Sequence, residues 1–321
     1  MKKILLVGCG NIGSRHLQGL VKIKDSVEII VIDPSNEAQN LAKERLNEIQ
    51  YNTSQFQIIW KNSIDGIKES DLVIIATPSK GRKNLIKNLL SLGHLRFLIE
   101  KMVCQSDAEY EEILEQLSEH NAKVWINATR RYFKSYKLIK ELFVNSDTIH
   151  LSVKAGNMGL GSNAIHFVDL FSWLTNNNKI KLNGDFLVDE IFPSKRGKNY
   201  FEFAGLITGS NPTGSFLSIN FLPHDDMPLT VRIYDKNNDL IIDEINENIT
   251  KNRGFKNKEL EFKTEFQSNL TGNMISDIFL DDDCNLPSIE EQHIAHKELF
   301  RIFNNHIEKI TKERKDLCPI T

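Results

Sequence analysis

The stretch that most restricts this chain is its opening, Lys3-Ile4-Leu5-Leu6-Val7-Gly8-Cys9-Gly10-Asn11-Ile12-Gly13. Five apolar residues run directly into three glycines spaced G-x-G-x-x-G, and a helical pattern, Ser14 to Val21, follows without a gap. A strand, a tight turn and a helix N-terminus in that order make a pyrophosphate site. Gly8 permits the turn, Gly10 lets the backbone approach the phosphates, and Gly13 lets helix and strand pack closely. The helix dipole and the unpaired N–H groups of its first turn favour the anion. The next apolar run, Val27 to Ile32, ends at Asp33, about 20 residues beyond Gly13, where an acid accepts the ribose hydroxyls of a dinucleotide. A carboxylate there repels a 2′-phosphate, so NAD is expected rather than NADP.

The following segments repeat this alternation. A helix is expected over Glu37 to Glu48, a strand over Phe56 to Trp60, and a short helix after Asn62-Ser63. The continuous apolar run Leu72 to Ala76 fits a parallel strand covered on both faces. It ends in Thr77-Pro78-Ser79, at the sheet edge where ligands of open α/β folds bind, so Ala76, Thr77, Pro78 and Ser79 are expected beside the nicotinamide half. A helix (Lys80 to Leu92), a strand (Arg96 to Ile99), a helix (Asp107 to His120) and a strand (Lys123 to Ile126) complete a doubly wound domain over residues 1–127. Residues 128–321 have a different grammar. Ile149, Leu151, Val153 and Ala155 alternate with polar residues, as in a strand with one covered face. Helices are expected over Tyr132 to Val144, Asn163 to Leu174, and from the capping box at Ser288 and Glu291 to Lys309. Strands are expected over Phe201 to Thr208, Ser215 to Phe221, Leu229 to Tyr234 and Leu240 to Ile242. The fold class is α/β: a Rossmann-type doubly wound parallel sheet, followed by an α+β domain on a large, mostly antiparallel open sheet.

Charge is nearly balanced, with 43 acidic and 40 basic residues, so neither nucleic acid nor an anionic membrane is an expected partner. The four cysteines show no C-x-x-C pairing and suit free thiols in a reducing cytosol. The apolar run before Gly8 is too short for a signal peptide, and no stretch approaches the ~20 apolar residues of a membrane span. A cytoplasmic protein is expected. His293 and His296 lack partners at metal-ligand spacing, Asp281-Asp282-Asp283 is most simply a charged turn, and no metal is assigned. His16, on the first helix, is expected to pack.

Several motifs together resemble those of the Gfo/Idh/MocA oxidoreductases. They are Gly8 to Gly13, Ala76-Thr77-Pro78, Gly93 followed by Glu100-Lys101, Arg130-Arg131-Tyr132, and His166-x-x-Asp169 on an apolar helix ending Trp173-Leu174. They occur in family order and span residues 4–174. The resemblance implies NAD(P)-linked hydride transfer, usually on a sugar, cyclitol or nucleotide sugar, and a homodimer or homotetramer built on the open sheet. It implies Lys101 and His166 as the proton-handling pair, with Arg130, Ser162, Asn163 and these two residues facing substrate. Gly8, Gly10, Asn11, Ile12, Gly13, Asp33 and Glu100 fall on the cofactor side. Two departures stand out: Met102 replaces the usual proline after Glu-Lys, and Ser162 stands where the family commonly has aspartate, four residues before the histidine. A serine carries no charge near neutrality.

Chemically, an ammonium at Lys101 can hold the reacting oxygen and stabilise alkoxide charge, and burial beside a cationic ring lowers its pKa toward a usable base. The competing role is a surface lysine. The pKa of His166 suits proton transfer, and Ser162, Asn163 and Asp169 share its helical stripe. The competing role is a core histidine satisfied by Asp169, and Asp169 either orients His166 or makes a structural contact. Glu100 orients Lys101 or meets the nicotinamide ribose. The basic loop Lys195-Arg196-Gly197-Lys198 is either a solvated loop or a contact for an anionic substrate, such as a nucleotide sugar or an acidic sugar of surface-glycan synthesis. The alternative function is a non-catalytic NAD- and sugar-binding sensor. A third is redox cycling in which NAD is used and regenerated.

Overall fold

Apolar runs bounded by turn residues build the first sheet of the computed structural model, which describes residues 1–197, 199–223, 225–255 and 259–321. In chain order the elements are β1 (Lys2–Val7), α1 (Gly13–Leu20), β2 (Val27–Ile32), α2 (Asn36–Asn47), β3 (Phe56–Lys61), β4 (Leu72–Ile75), α3 (Arg82–Ser91), β5 (Arg96–Ile99), α4 (Asp107–Glu119) and β6 (Lys123–Ile126). All six strands are parallel in the order β3-β2-β1-β4-β5-β6. This is the Rossmann order, and its direction reverses between β1 and β4. Leu72 to Ile75 are fully buried, as a strand covered on both faces requires. Ser35 starts α2 by accepting the Ala38 N–H at 3.2 Å. The short helix expected after Asn62-Ser63 does not form. Ser63 Oγ accepts the Asp65 N–H in a local turn, and Gly66 takes φ +72°, so the segment stays irregular.

A 3₁₀ turn (Thr129–Tyr132) leads to α5 (Lys134–Leu142), β7 (His150–Gly156), α6 (Leu160–Leu174), β8 (Lys181–Leu187), β9 (Phe192–Pro193), β10 (Phe201–Glu202), β11 (Gly205–Ser210), β12 (Phe216–Leu222), β13 (Thr230–Tyr234), β14 (Asp239–Asp243) and β15 (Asn248–Arg253). Helices α7 (Gln267–Asp281) and α8 (Ile289–Thr311) follow. The seven-stranded sheet runs β15-β14-β13-β7-β12-β11-β8, antiparallel except for β7 with β12. The strand expected over Phe201 to Thr208 is two strands, broken where Gly205 takes φ +103°.

The chain divides into two compact units. The first comprises Met1–Cys104, Ala108–Thr129 and Glu265–Glu290, the second Gln105–Asp107, Arg130–Thr264 and Glu291–Thr321. The return of Glu265–Glu290 to the first unit has no signal in the change of grammar at 127/128. It is made by close packing: a Cβ on Gly19 of α1 would lie 2.6 Å from the Cβ of Thr271 on α7. In the second unit, Leu151, Val153, Leu217, Ile219, Val231 and Ile233 are buried on one sheet face, and Phe167 of α6 meets Phe221 edge-on at 6.0 Å. Truncating such a ring to alanine costs about 3–5 kcal/mol. The opposite face carries Ser152, Lys154, Ser218 and Arg232. The free edge at β8 is closed by α8: Glu298 accepts the Leu182 N–H at 2.8 Å, and Arg301 donates to the Leu182 carbonyl. Among the described residues no helix is long and apolar enough to cross a membrane.

Candidate active site

In the first unit, the glycine loop joins β1 to α1 beside the reversal of strand order. A Cβ on Gly13 would lie 2.0 Å from the Gly8 carbonyl oxygen, and one on Gly8 would lie 2.9 Å from the Ala76 backbone. Both glycines are therefore required by close approach. A Cβ on Gly10 would meet no protein atom within 4 Å. Its bareness serves nothing inside the fold and leaves a cradle of the kind a pyrophosphate fits. Asp33, at the end of β2, accepts the Cys9 N–H and the Ser35 N–H, each at 2.9 Å. Burial, and then the Asp33 charge, push the Cys9 thiol up to about 12, so it is no nucleophile. Asn11 and Ser14 are tied to α2 by Arg45, which donates to the Asn11 carbonyl at 2.8 Å and to Ser14 Oγ at 2.7 Å. Ile12 is the residue before the first helical turn.

The ends of β4 and β5 are joined by a residue that the sequence reading passed over. Arg82 is buried and donates to the carbonyls of Thr77, Glu100 and Met102, linking the loop carrying Pro78 and Ser79 to the loop carrying Lys101. A cation in the first turn of a helix is disfavoured by the dipole, and that was the available signal. Lys101 is 5% exposed, and the peptide joining it to Met102 is cis. Glu100 lies behind it, accepting from His16 Nε2 at 3.0 Å and from Asn127 Nδ2. Burial pushes the Glu100 pKa up, but the bonds from His16 and Asn127, with the charge of Lys101, outweigh it and hold the carboxyl below its usual range. His16, expected only to pack, also bonds Thr271 at 3.0 Å through Nδ1. Asn127 reaches Gln267 at 2.9 Å.

In the second unit, α6 begins at Leu160, one turn earlier than the sequence suggests, and carries Ser162, Asn163 and His166. Asn163 Nδ2 donates to the Gly159 carbonyl at 2.9 Å and to Ser162 Oγ at 3.0 Å. Gly159, Ser162 and Asn163, but not His166, line a cavity of about 450 Å³ that also takes in Lys195, Arg196 and Glu202. Lys198, the last cation of the basic loop, lies outside the described residues. Glu202 was also missed; its Oε2 accepts the Ser162 N–H at 3.1 Å. Arg130 and Asp169 both sit in ion pairs, which for Asp169 is the structural one of its two expected roles. Arg130, expected at substrate, forms a two-bond pair with Glu244 (2.9 and 2.7 Å) and lies 4.2 Å from the centre of the Phe167 ring. Asp169 bonds Arg131 (2.7–3.1 Å) and Gln292 rather than His166. Burial raises its pKa even against the Arg131 charge. Elsewhere, Asp282 pairs with Arg96 and Lys123, as a charged turn does. His293 bonds Asp107 at 2.8 Å, and His296 the Gln292 carbonyl at 2.9 Å.

The family described as "Oxidoreductase family, NAD-binding Rossmann fold" (GFO_IDH_MocA) matches residues 2–128. A search of curated proteins gives no match. Among solved structures, a Gfo/Idh/MocA family oxidoreductase from Vibrio cholerae is 16% identical over 98% of this chain and 100% of its own, with a TM-score of 0.69. The WlbA dehydrogenase from Bordetella pertussis, in complex with NADH and UDP-GlcNAcA, is 14% identical over 97% and 95%, with a TM-score of 0.70. A scyllo-inositol dehydrogenase from Lactobacillus casei, with bound NAD(H) and scyllo-inositol, is 16% identical over 96% and 97%, with a TM-score of 0.67. At these identities the structures establish a shared fold. Residues 2–128 thus match the NAD-binding Rossmann domain of the Gfo/Idh/MocA oxidoreductases, and the whole chain shares the fold of solved members of that family.

Proposed function

We propose that this protein is an NAD-dependent oxidoreductase that interconverts an alcohol and a ketone on a carbohydrate-like substrate. The observation carrying the proposal is the cluster of polar groups in the cavity at the first turn of α6, whose walls also include Phe192, Pro193 and Phe203. A hydroxyl, an amide, a carboxylate and two cations line it, on the helix that bears His166. Those groups suit the hydroxyls and an anionic substituent of a polyol, such as an acidic or nucleotide sugar. Bound NAD supplies the hydride acceptor. The chain's own residues hold it and manage the proton. Gly8 to Gly13 and Asp33 bind the pyrophosphate and ribose, and Asp33 selects against a 2′-phosphate. Glu100 and Arg82 fix the backbone on either side of Lys101. Lys101 Nζ holds the reacting oxygen, and His166 shares the proton.

The test is formation of reduced nicotinamide with NAD and a panel of scyllo-inositol, myo-inositol, glucose and UDP-N-acetylglucosamine. Turnover is expected with at least one, and Lys101→Ala lowers kcat by roughly 10²–10⁴-fold. Undiminished turnover by Lys101→Ala removes the mechanism. Binding without turnover favours a sensor, for which Ser162 in place of a carboxylate is the supporting observation. Substrate loss without net reduced cofactor favours redox cycling. The polar open face of the large sheet suits a second copy of the chain, and a monomer by light scattering would refute the homo-oligomer.

A further inference from the structure

Glu202 comes from β10, distant in sequence from α6, yet its carboxylate lies against the first turn of that helix. The helix is cleared to receive it. A Cβ on Gly159 would lie 2.0 Å from Glu202 Oε2, and one on Gly161 would lie 3.0 Å from the same atom. Ser162, between them and Asn163, donates its N–H to Oε2 at 3.1 Å. The same carboxylate lines the 450 Å³ cavity together with Ser162, Asn163, Lys195 and Arg196. Four features therefore converge: a carboxylate, two glycines that make room for it, a backbone donor that fixes it, and a cavity wall.

We propose that Glu202 is a substrate-contacting, specificity-determining residue. Its carboxylate accepts hydrogen bonds from hydroxyls of the sugar bound in this cavity, supplying from β10 the charge that Ser162 lacks. This rests on the substrate reading of the cavity given above. A carboxylate accepts from two adjacent hydroxyls at once, whereas the serine hydroxyl beside it brings only one donor and no charge. Lys195 and Arg196 stand on the same wall and suit an anionic substituent, so the cavity favours a ring with free hydroxyls over one whose hydroxyls are blocked. The competing role for Glu202 is only to cap α6, in place of the side chain that Gly159 does not have.

Glu202→Gln separates the two roles, because an amide oxygen still accepts the Ser162 N–H but the charge is gone. The assay uses NAD with whichever of scyllo-inositol, myo-inositol, glucose and UDP-N-acetylglucosamine the unaltered protein turns over fastest. The expected result is a fall in kcat/KM of roughly 10- to 100-fold, the size of a lost hydrogen bond to a charged group, carried mainly by KM at an unchanged melting temperature. Gly159→Ala, which pushes the carboxylate aside, shifts KM the same way. Unaltered kinetics for Glu202→Gln overturn the proposal while leaving the proposed function standing. Failure of the unaltered protein on every compound withdraws the substrate reading, and this inference with it. Should Glu202→Gln melt early, Glu202→Asp is read instead: a raised KM at retained melting temperature supports the proposal, and an unchanged KM overturns it.

Discussion

Each unit buries a carboxylate almost completely, and the two are held in opposite electrostatic states. In the first, Glu100 is 7% exposed and bonded by an imidazole and an amide, yet its pKa lies below the usual carboxylate range. In the second, Asp169 is fully buried and gripped by a guanidinium through two nitrogens, yet its pKa is raised. The difference lies in desolvation against the sum of bonds and neighbouring charges. Asp169 also has the Glu291 charge nearby, whereas Glu100 has Lys101 as its next residue. A stable anion behind Lys101 suits a site that must hold a cation in place. The Arg131–Asp169 pair anchors α6 to the turn that opens the second unit.

The largest expected effect comes from breaking the anchor. Arg131→Ala leaves Asp169 buried without its countercharge and should cost about 3–5 kcal/mol in urea unfolding. Replacing both partners, as Arg131→Met with Asp169→Leu, should cost far less, because no buried charge remains. Equal losses for single and double variants would mean that packing, not charge, makes the contact. A smaller loss is expected in the first unit. His16→Leu removes one hydrogen bond to a charged acceptor, worth about 1.5–3 kcal/mol. Asn127 remains as a donor to Glu100. A loss as large as that of Arg131→Ala would show that His16 is the principal countercharge of Glu100.

The two units also differ in how much the sequence discloses. β5 and β6 follow directly from runs of three apolar residues, each behind an exposed cation, because strands buried on both faces are specified locally. Gly8 and Gly13 could be read from spacing because the turn itself demands them. In the second unit, β8 reads Lys-Leu-Asn-Gly-Asp-Phe-Leu, which contains residues depleted in strands, and it exists only by pairing with β11. The first turn of α6 contains Gly161 and follows Gly159, so it looks like loop. Its helical form and its bond to Glu202 appear only once β10 is in place. His166 and Lys101 were found by their motifs. Glu202 sits in no motif, and the pairing of Arg130 with Glu244 has no local signal because the two lie 114 residues apart.

The smallest effect is the sharpest test of the contrast, because it concerns sign. Glu100 has a lowered folded pKa, so its contribution is fully present above its unfolded value of about 4.3 and is lost as pH falls through the folded pKa. The stability difference between the unaltered protein and Glu100→Gln should therefore be flat near neutrality and shrink below about pH 4.3. Asp169 has a raised folded pKa. The folded state binds its proton more tightly, so acidification through that pKa, above the unfolded value of about 3.9, favours the fold. Measured against Asp169→Asn, the unaltered protein should gain on acidification over that interval. Unfolding free energies from urea titrations at stepped pH resolve the two slopes. Slopes of the same sign would mean that the pKa of one of the two carboxylates is shifted in the opposite direction, upward for Glu100 or downward for Asp169.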